Sequence, residues 1–544
     1  MSCRLSPLHP AGVLLLWLFA TSAAPGGALA SARRGSLGGS LLIGCGDVPA
    51  RTVRDGMPGD PYAAAPSYLR SISGRCSVGP LLTVGQMVPG ASGQGWFRVL
   101  GVPDGMGLRA EAPGPDGKRH ARLLVNHEWA ATVGLPAGPL PAGARVSEFT
   151  LEASGERLRP MVIDGQWAIQ HVLAQEPPVP VDPVTHGLAK LCSAFWADER
   201  VGFDPPLFLN GEEAPGAETF DGRGGQAWAL GNGTAAAFPR LGRAMWENVV
   251  VAPFTGQTTM VFGLEDGPDA GDGLHSQLYL YLGSKRPGDP DPLAANGLRG
   301  GMLYVACSED AAHNSEATLQ GRSQSTRIRW LPVPWDATDA ELDHEAGIAG
   351  AFAFVRIEDG ACDPVEPGHL YFVTTGKLPR ENQPPSCNER GRVYHFEFDP
   401  KNPLAGGTLT ILLDGTNGIV APDNVDVNRH GQLAILEDPG HDLKKLGLPR
   451  DASVWMYDLH SARLDRIATM NRGAAVHHAL HADPANTNDA KADGPGMWET
   501  SGIIDAEPFL GRGAWLLTVQ AHSLRIDPAP ETVQGGQILW LRWR

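Results

Sequence analysis

Carboxylates at the ends of apolar runs are the residues of this sequence whose type and placement could do chemistry. Glu128 follows Arg122-Leu-Leu-Val-Asn-His127, Glu212-Glu213 follow Pro206-Leu-Phe-Leu-Asn-Gly211, and Glu265-Asp266 follow Met260-Val-Phe-Gly-Leu264. Glu437-Asp438 follow Leu433-Ala-Ile-Leu436, Asp423-Asn424 lie in Val420-Ala-Pro-Asp-Asn-Val-Asp-Val427, and Glu499 lies in Met497-Trp-Glu-Thr-Ser-Gly502. Any one of these acids could simply be solvated in a loop. A carboxylate just past a buried strand is costly to desolvate, however, and the placement recurs. Acids brought to one place repel each other unless cations lie between them. Hard oxygen ligands suit calcium, and a lone thiolate beside them suits a transition metal such as iron. The run Asp266-Gly-Pro-Asp269-Ala-Gly-Asp272-Gly lacks EF-hand spacing and reads as an ordinary acidic turn. Other chemistries are excluded: there is no G-x-S-x-G elbow, no Walker loop, and His127-Glu128 lacks the second His of a zincin helix.

The elements that would position these acids are strands. Short runs rich in aromatic and branched residues recur from about residue 95 onward, bounded by Gly, Pro, Asp or Asn. Gly (68) and Pro (46) make up about a fifth of the 544 residues, which argues against a helical bundle. Asp339–Ala346 is one brief helical exception. The phrases at 277–283, 391–398, 453–459 and 536–543 look like equivalent strands of successive repeats, although no strict period emerges. The expected fold is all-β: a single large, six-bladed β-propeller with long inter-strand insertions, in which strand ends from different blades converge on one mouth. The expected organisation is a signal peptide at 1–30, an N-terminal linker or extension at 31–80, and the propeller at 81–544.

Arg4, the apolar run 11–20 and Ala28-Leu-Ala30 read as an export signal with its cleavage site. A second variant, with Arg33-Arg34 and an apolar run ending at Cys45, would suit a later start and a lipid anchor on Cys45. Either puts the mature chain in a secreted or periplasmic location, with no integral membrane span. Of seven Cys, none forms a C-x-x-C pair. Cys362 with Cys387 is a candidate disulfide, and Cys45 with Cys76 a weaker one.

With these residues in place, the chain resembles a divergent member of the PhoX-type alkaline phosphatase family, secreted bacterial phosphomonoesterases on a propeller that use iron and calcium together. "LLVNHE" (123–128) is similar to the family's N-H-E segment. Cys192 and Glu213 resemble its iron-binding Cys and the following E-E pair in spacing. "LGRAMWEN" (241–248) resembles G-R-F-x-H-E, "GLEDG" (263–267) falls at G-D-D, Arg356-Ile-Glu358 resembles R-P-E, and "PDN" (422–424) is intact. "ETSG" (499–502) with Gln520 resembles E-x-T-G…Q-H-P-G. The resemblance runs from about residue 80 to 544. It implies iron bound by Cys192, Glu128 and Glu247, and calcium served mainly by Glu213, Asp266, Glu358, Asp423 and Glu499, with Asn424 as a neutral oxygen ligand. It implies that Arg356 binds a phosphate oxygen of a small phosphorylated substrate. Read without the resemblance, Cys192 also suits an inert buried thiol, and Arg356 a structural partner of Glu358.

There are departures. The family's Asn-Asn-Cys-Ala-Gly-Gly is here Lys190-Leu-Cys192-Ser-Ala-Phe195, which removes amides and brings a cation near the cluster. Its His-Gly-Val-Ser is replaced by 141–149, and its Q-H-P-G reads Gln520-Ala-His522-Ser523. The reading is a secreted metal-dependent phosphatase, a monomer with no nucleic-acid partner. The alternatives are a calcium-dependent lactonase or esterase propeller, suggested by 422–436, or a non-catalytic calcium-stabilised binding propeller. The formal net charge of −16 excludes a basic nucleic-acid surface but does not itself indicate cation binding.

Overall fold

Aromatic and branched residues alternating with small ones, cut by Gly-rich turns, fold here into six blades of four antiparallel strands each. Ser325–Val333 pairs with the outer strands of blades three and four and joins them into one sheet, and His171–Ala174 extends blade two by a parallel pairing. A computed structural model describes residues 65–544 except 94, 156–157, 268–272, 379–385, 441, 449, 478–497 and 525–531. The proposed signal, most of the linker, Cys45, Asp269 and Asp272 lie outside the described residues. Among the described residues no helix is long and apolar enough to cross a membrane.

Blade one comprises Pro103–Ala110, Arg119–His127, Arg145–Ser154 and Arg159–Trp167; blade two comprises Leu191–Ala197, Leu207–Glu212, Ala227–Gly231 and Thr234–Phe238. Blade three comprises Trp246–Val251, Thr258–Glu265, Leu278–Ser284 and Met302–Ser308, and blade four Ile357–Cys362, His369–Thr374, Arg392–Phe398 and Gly407–Leu413. Blade five comprises Pro422–Val427, Gln432–Glu437, Ser453–Asp458 and Arg463–Met470. Blade six takes Trp498–Asp505, Ala514–Ala521 and Gly535–Trp543 from the C-terminal end of the chain and its outer strand, Cys76–Thr83, from the N-terminal side. The first strand of each blade contacts the first strands of both neighbours, so six inner strands close a ring. The closing strand pairs from Cys76↔Trp543 to Thr83↔Gln537, and Leu69–Ser71 adds to the edge of blade five. Sheet structure therefore starts before residue 81, the start expected from sequence.

The four aromatic phrases read as equivalent are the third strands of blades three, four, five and six. The brief helical exception forms Asp339–Ala349, opened by a capping box between Thr338 and Glu341. Trp228, Trp246, Trp498 and Trp515 are fully buried between blades, as are Phe149, Phe208 and Phe238. Each such Phe contributes about 1.5–3 kcal/mol. The expected Cys362–Cys387 disulfide does not form. Cys362 ends the inner strand of blade four, whereas Cys387 follows the second strand back to the opposite end of the blade. A disulfide needs Cα atoms within about 7 Å, and the blade's length lies between them.

Candidate functional site

The inner strands all begin at one end of the ring, and there the local sequence repeats structurally. The first residue of each inner strand pairs with the last residue of the second strand: Pro103↔His127, Leu191↔Glu212, Trp246↔Glu265, Ile357↔Thr374, Pro422↔Glu437 and Trp498↔Ala521. In five blades the register shifts directly after that pair, and in the sixth between Ser501 and Ile503. Such bulges re-aim the side chains beside them. The second residue of the six inner strands is Asp104, Cys192, Glu247, Glu358, Asp423 and Glu499. The residue just past the second strands is Glu128, Glu213, Asp266, Thr375, Asp438 and His522. One mouth thus collects a metal-ligand type from the inner strand of every blade.

Strand alternation explains why adjacent acids part company. Glu212 is turned into the blade, where it accepts from the amides of Ala189 and Phe220 at 3.0 and 2.9 Å and from the Trp228 indole. Glu437 is bound by Arg450 and the Val420 amide, and Glu265 takes the Gln277 amide. Their successors Glu213, Asp266 and Asp438 face the mouth.

All ten residues singled out from sequence come together there. Ligand atoms of Cys192, Glu213 and Glu247 lie within 4.8 Å of one another, and so do those of Asp104, Glu128 and Cys192. Arg356, at φ 58°, donates from Nε and Nη2 to the two oxygens of Asp266 at 3.1 and 2.9 Å, and Nη2 lies 3.0 Å from Glu358. The structural pairing with Glu358 is therefore present, with Asp266 as the larger partner. Glu358 accepts from Thr375 Oγ1 at 2.8 Å. Asn424 Nδ2 donates to Ser193 Oγ, which donates to Glu247. Gln520 Nε2 donates to Asp104 at 2.8 Å and to Glu128 at 3.2 Å. Asn126 Nδ2 donates to the Cys192 carbonyl, while His127 is buried between Gly101 O and Ser147 Oγ.

Burial dominates the electrostatics, and mutual repulsion adds to it. Burial pushes Asp104 up to about 7, with Glu128 adding to it. Burial also pushes Glu213 up to about 8, against the pull of Lys190 and with the push of Glu128 and Asp266. Burial followed by neighbouring acids raises Glu247, Glu358, Asp423 and Glu499 well above the carboxylate range. The Cys192 thiol is raised by burial, then by Asp104, Glu247, Glu128 and Glu213. Lys190, Arg356 and His522 stand against this set. Burial opposes the His522 charge, but Glu499 at 3.2 Å raises it to about 10.

The donor set fits cations. Asp104 Oδ1, Asn126 Oδ1, Glu247 Oε2, Asn424 Oδ1 and Gln520 Oε1 are buried oxygens with no hydrogen-bond partner. An unsatisfied buried acceptor costs about 1–3 kcal/mol. Several around a thiol and a ring of carboxyls are what hard cations and a thiolate-binding metal would satisfy. The sequence reading missed Asp104, Ser193, Thr375 and His522, and it named Asp438 as an acid past an apolar run without a role at the centre. Asp104 follows Pro103 in a strand with two glycines near its start, so no apolar run marked it in the sequence.

Comparison with known proteins adds the following. The family model described as alkaline phosphatase PhoX matches residues 232–477. Among curated proteins no sequence matches the chain. The structure is similar to Pseudomonas fluorescens PhoX in complex with vanadate, a transition state analogue, at 14% identity and TM-score 0.60 over 88% of this chain and 97% of that one. A Penicillium chrysogenum α-L-arabinanase aligns at 10% identity and TM-score 0.35, covering 85% and 98% of the two chains. A Xanthomonas campestris gluconolactonase aligns at 10% identity and TM-score 0.30, covering 86% and 100%.

Proposed function

Because the family model described as alkaline phosphatase PhoX matches residues 232–477 and the fold is similar to that of Pseudomonas fluorescens PhoX, we propose that the chain is an exported, metal-dependent phosphatase of that kind that hydrolyses phosphate monoesters in the acid-lined mouth of its propeller. The observation that carries the metal reading is the sixfold placement of Asp104, Cys192, Glu247, Glu358, Asp423 and Glu499 at the second position of the inner strands. Cys192, Glu128 and Glu247 would hold iron; Glu213, Asp266, Glu358, Asp423, Asn424 and Glu499 would hold mainly calcium. When bound, these ions would supply the positive charge that neutralises phosphoryl oxygens and acidifies the attacking water.

The chain's own residues would do the positioning. Asp266 and Glu358 fix the plane of the Arg356 guanidinium through Nε and Nη2. Nη1 would bind a non-bridging phosphoryl oxygen with a charge-assisted hydrogen bond. Phosphoryl transfer asks the protein mainly for such orientation and charge stabilisation. His522, doubly hydrogen-bonded to Glu499 and to Gln534 Oε1 at 2.8 Å, stays cationic and offsets one ring carboxylate. The N-terminal export signal, outside the described residues, would carry the chain out of the cytoplasm.

Elemental mass spectrometry of the purified chain, followed by an assay on an aryl phosphate, tests this reading. Iron together with calcium is expected, and Glu128→Gln and Arg356→Ala should each lose about a hundredfold in kcat/KM. Calcium without iron would turn the reading towards the single-calcium lactonase type. Equal activity in all three proteins would remove the site assignment.

A further inference from the structure

Lys190 stands among the acids of the mouth, and both its backbone and its side chain are tied to two of them. Its Nζ lies 3.8 Å from Glu128 Oε1 and 3.8 Å from Glu213 Oε1. Its amide donates to Trp129 O at 2.8 Å, next to Glu128, and its carbonyl accepts from the Glu213 amide at 3.0 Å. The residue is held at φ 40°, the left-handed region that disfavours any side chain. A strained backbone clamped between the two segments that carry the acids aims one ammonium between them. Glu128 also lies in the same group as Asp104 and Cys192, and Glu213 in the group with Cys192 and Glu247, so the ammonium bridges the acids of both groups.

We propose that the Lys190 ammonium is a built-in monovalent cation of this centre, standing between Glu128 and Glu213 where a divalent ion would otherwise be needed. The inference rests on the metal-dependent reading above. At about 4 Å in a protein environment, an ammonium and a carboxylate attract by several kcal/mol before desolvation. Lys190 makes two such approaches, so it occupies both the charge and the space of an ion at that point. The wild-type chain accordingly takes up one divalent ion fewer than its carboxylates could hold. Lys190 also lines a cavity of about 590 Å³ bounded by Ala130, Pro141, Thr185, His186 and Ala214, which gives solvent ions a route to the position once the ammonium is gone.

The test is metal uptake rather than turnover. Wild type, Lys190→Gln and Lys190→Arg are stripped with chelator and titrated with calcium, and bound metal per chain is counted by elemental mass spectrometry and calorimetry. The expectation is one additional calcium per chain in Lys190→Gln, with Lys190→Arg keeping the wild-type count. If Lys190→Gln is unfolded when stripped, its recovery by millimolar calcium supports the inference. Its failure to recover, with Lys190→Arg folded, overturns it. Equal calcium counts in wild type and Lys190→Gln also overturn it, and a raised KM with equal counts would make Lys190 a substrate-binding group instead. A wild type that takes up no divalent ion would sink the metal-dependent reading itself, and the inference with it.

Discussion

The Cys192 thiol donates to Asp104 Oδ2 at 3.2 Å, and burial together with the surrounding acids holds it protonated until a cation arrives. Capture of a thiolate-binding metal must therefore release that proton. Adding ferrous iron to stripped protein at pH 7 should release about one more proton from wild type than from Cys192→Ala, read by calorimetry in buffers of different ionisation enthalpy. Equal release would return Cys192 to an inert thiol. A second residue-scale prediction lies away from the mouth. His395 is stacked on Tyr371 and bonded to His369 at 2.8 Å, and burial followed by His369 lowers it to about 4. Unfolded histidine takes up its proton near pH 6.5, so below that pH the unfolded chain binds more protons than the folded one. Stability is thus lost as pH falls from about 6.5 towards 4, by on the order of 2 kcal/mol for this half-buried group. Denaturant unfolding of His395→Gln should show that part of the acid sensitivity removed, with little change at pH 8.

At the scale of elements, the mouth depends on how closely the inner strands approach. A Cβ on Gly105 would stand 2.5 Å from Ala194 N and from Cys192 O, so glycine lets blade one press its backbone onto blade two. Gly105→Ala should cost about 1–3 kcal/mol and weaken metal retention by separating Asp104 from Cys192. Gly347→Ala, in the helix and with open space around it, should be neutral or stabilising by up to about 1 kcal/mol. Thermal melts with metal counts check both. The same scale explains what the sequence disclosed. The second and third strands were readable because they are apolar and aromatic, and the acids at their ends followed. Asp104 was hidden because its strand opens Pro103-Asp-Gly-Met-Gly, with no apolar run to mark it. The period was hidden as well. The six equivalent positions are 88, 55, 111, 65 and 76 residues apart, since insertions of different length separate identical geometry. His522 belongs to the same second-strand ends as Glu213, Asp266 and Asp438, a relation that only the strand register exposes.

For the whole molecule, the ring of acids sets a dependence on bound cations. Without ions, the raised carboxyls make the folded chain bind more protons than the unfolded one between about pH 4.5 and 8, so its stability falls as pH rises through that window. Chelator-stripped protein should melt lower at pH 8 than at pH 6, and calcium should raise the melting temperature more at pH 8. The opposite order would show that the acids are not held by cations. Closure matters in a different way. Blade six joins Cys76–Thr83 to strands that end at Trp543, and Glu499 opens its inner strand. During synthesis the ribosome has made five blades before the last acid of the ring exists, and the seam waits for the final nine-residue strand. The ring of acids is therefore complete only once Gly535–Trp543 has paired with Cys76–Thr83, so the ions present where the ring closes decide what the centre takes up.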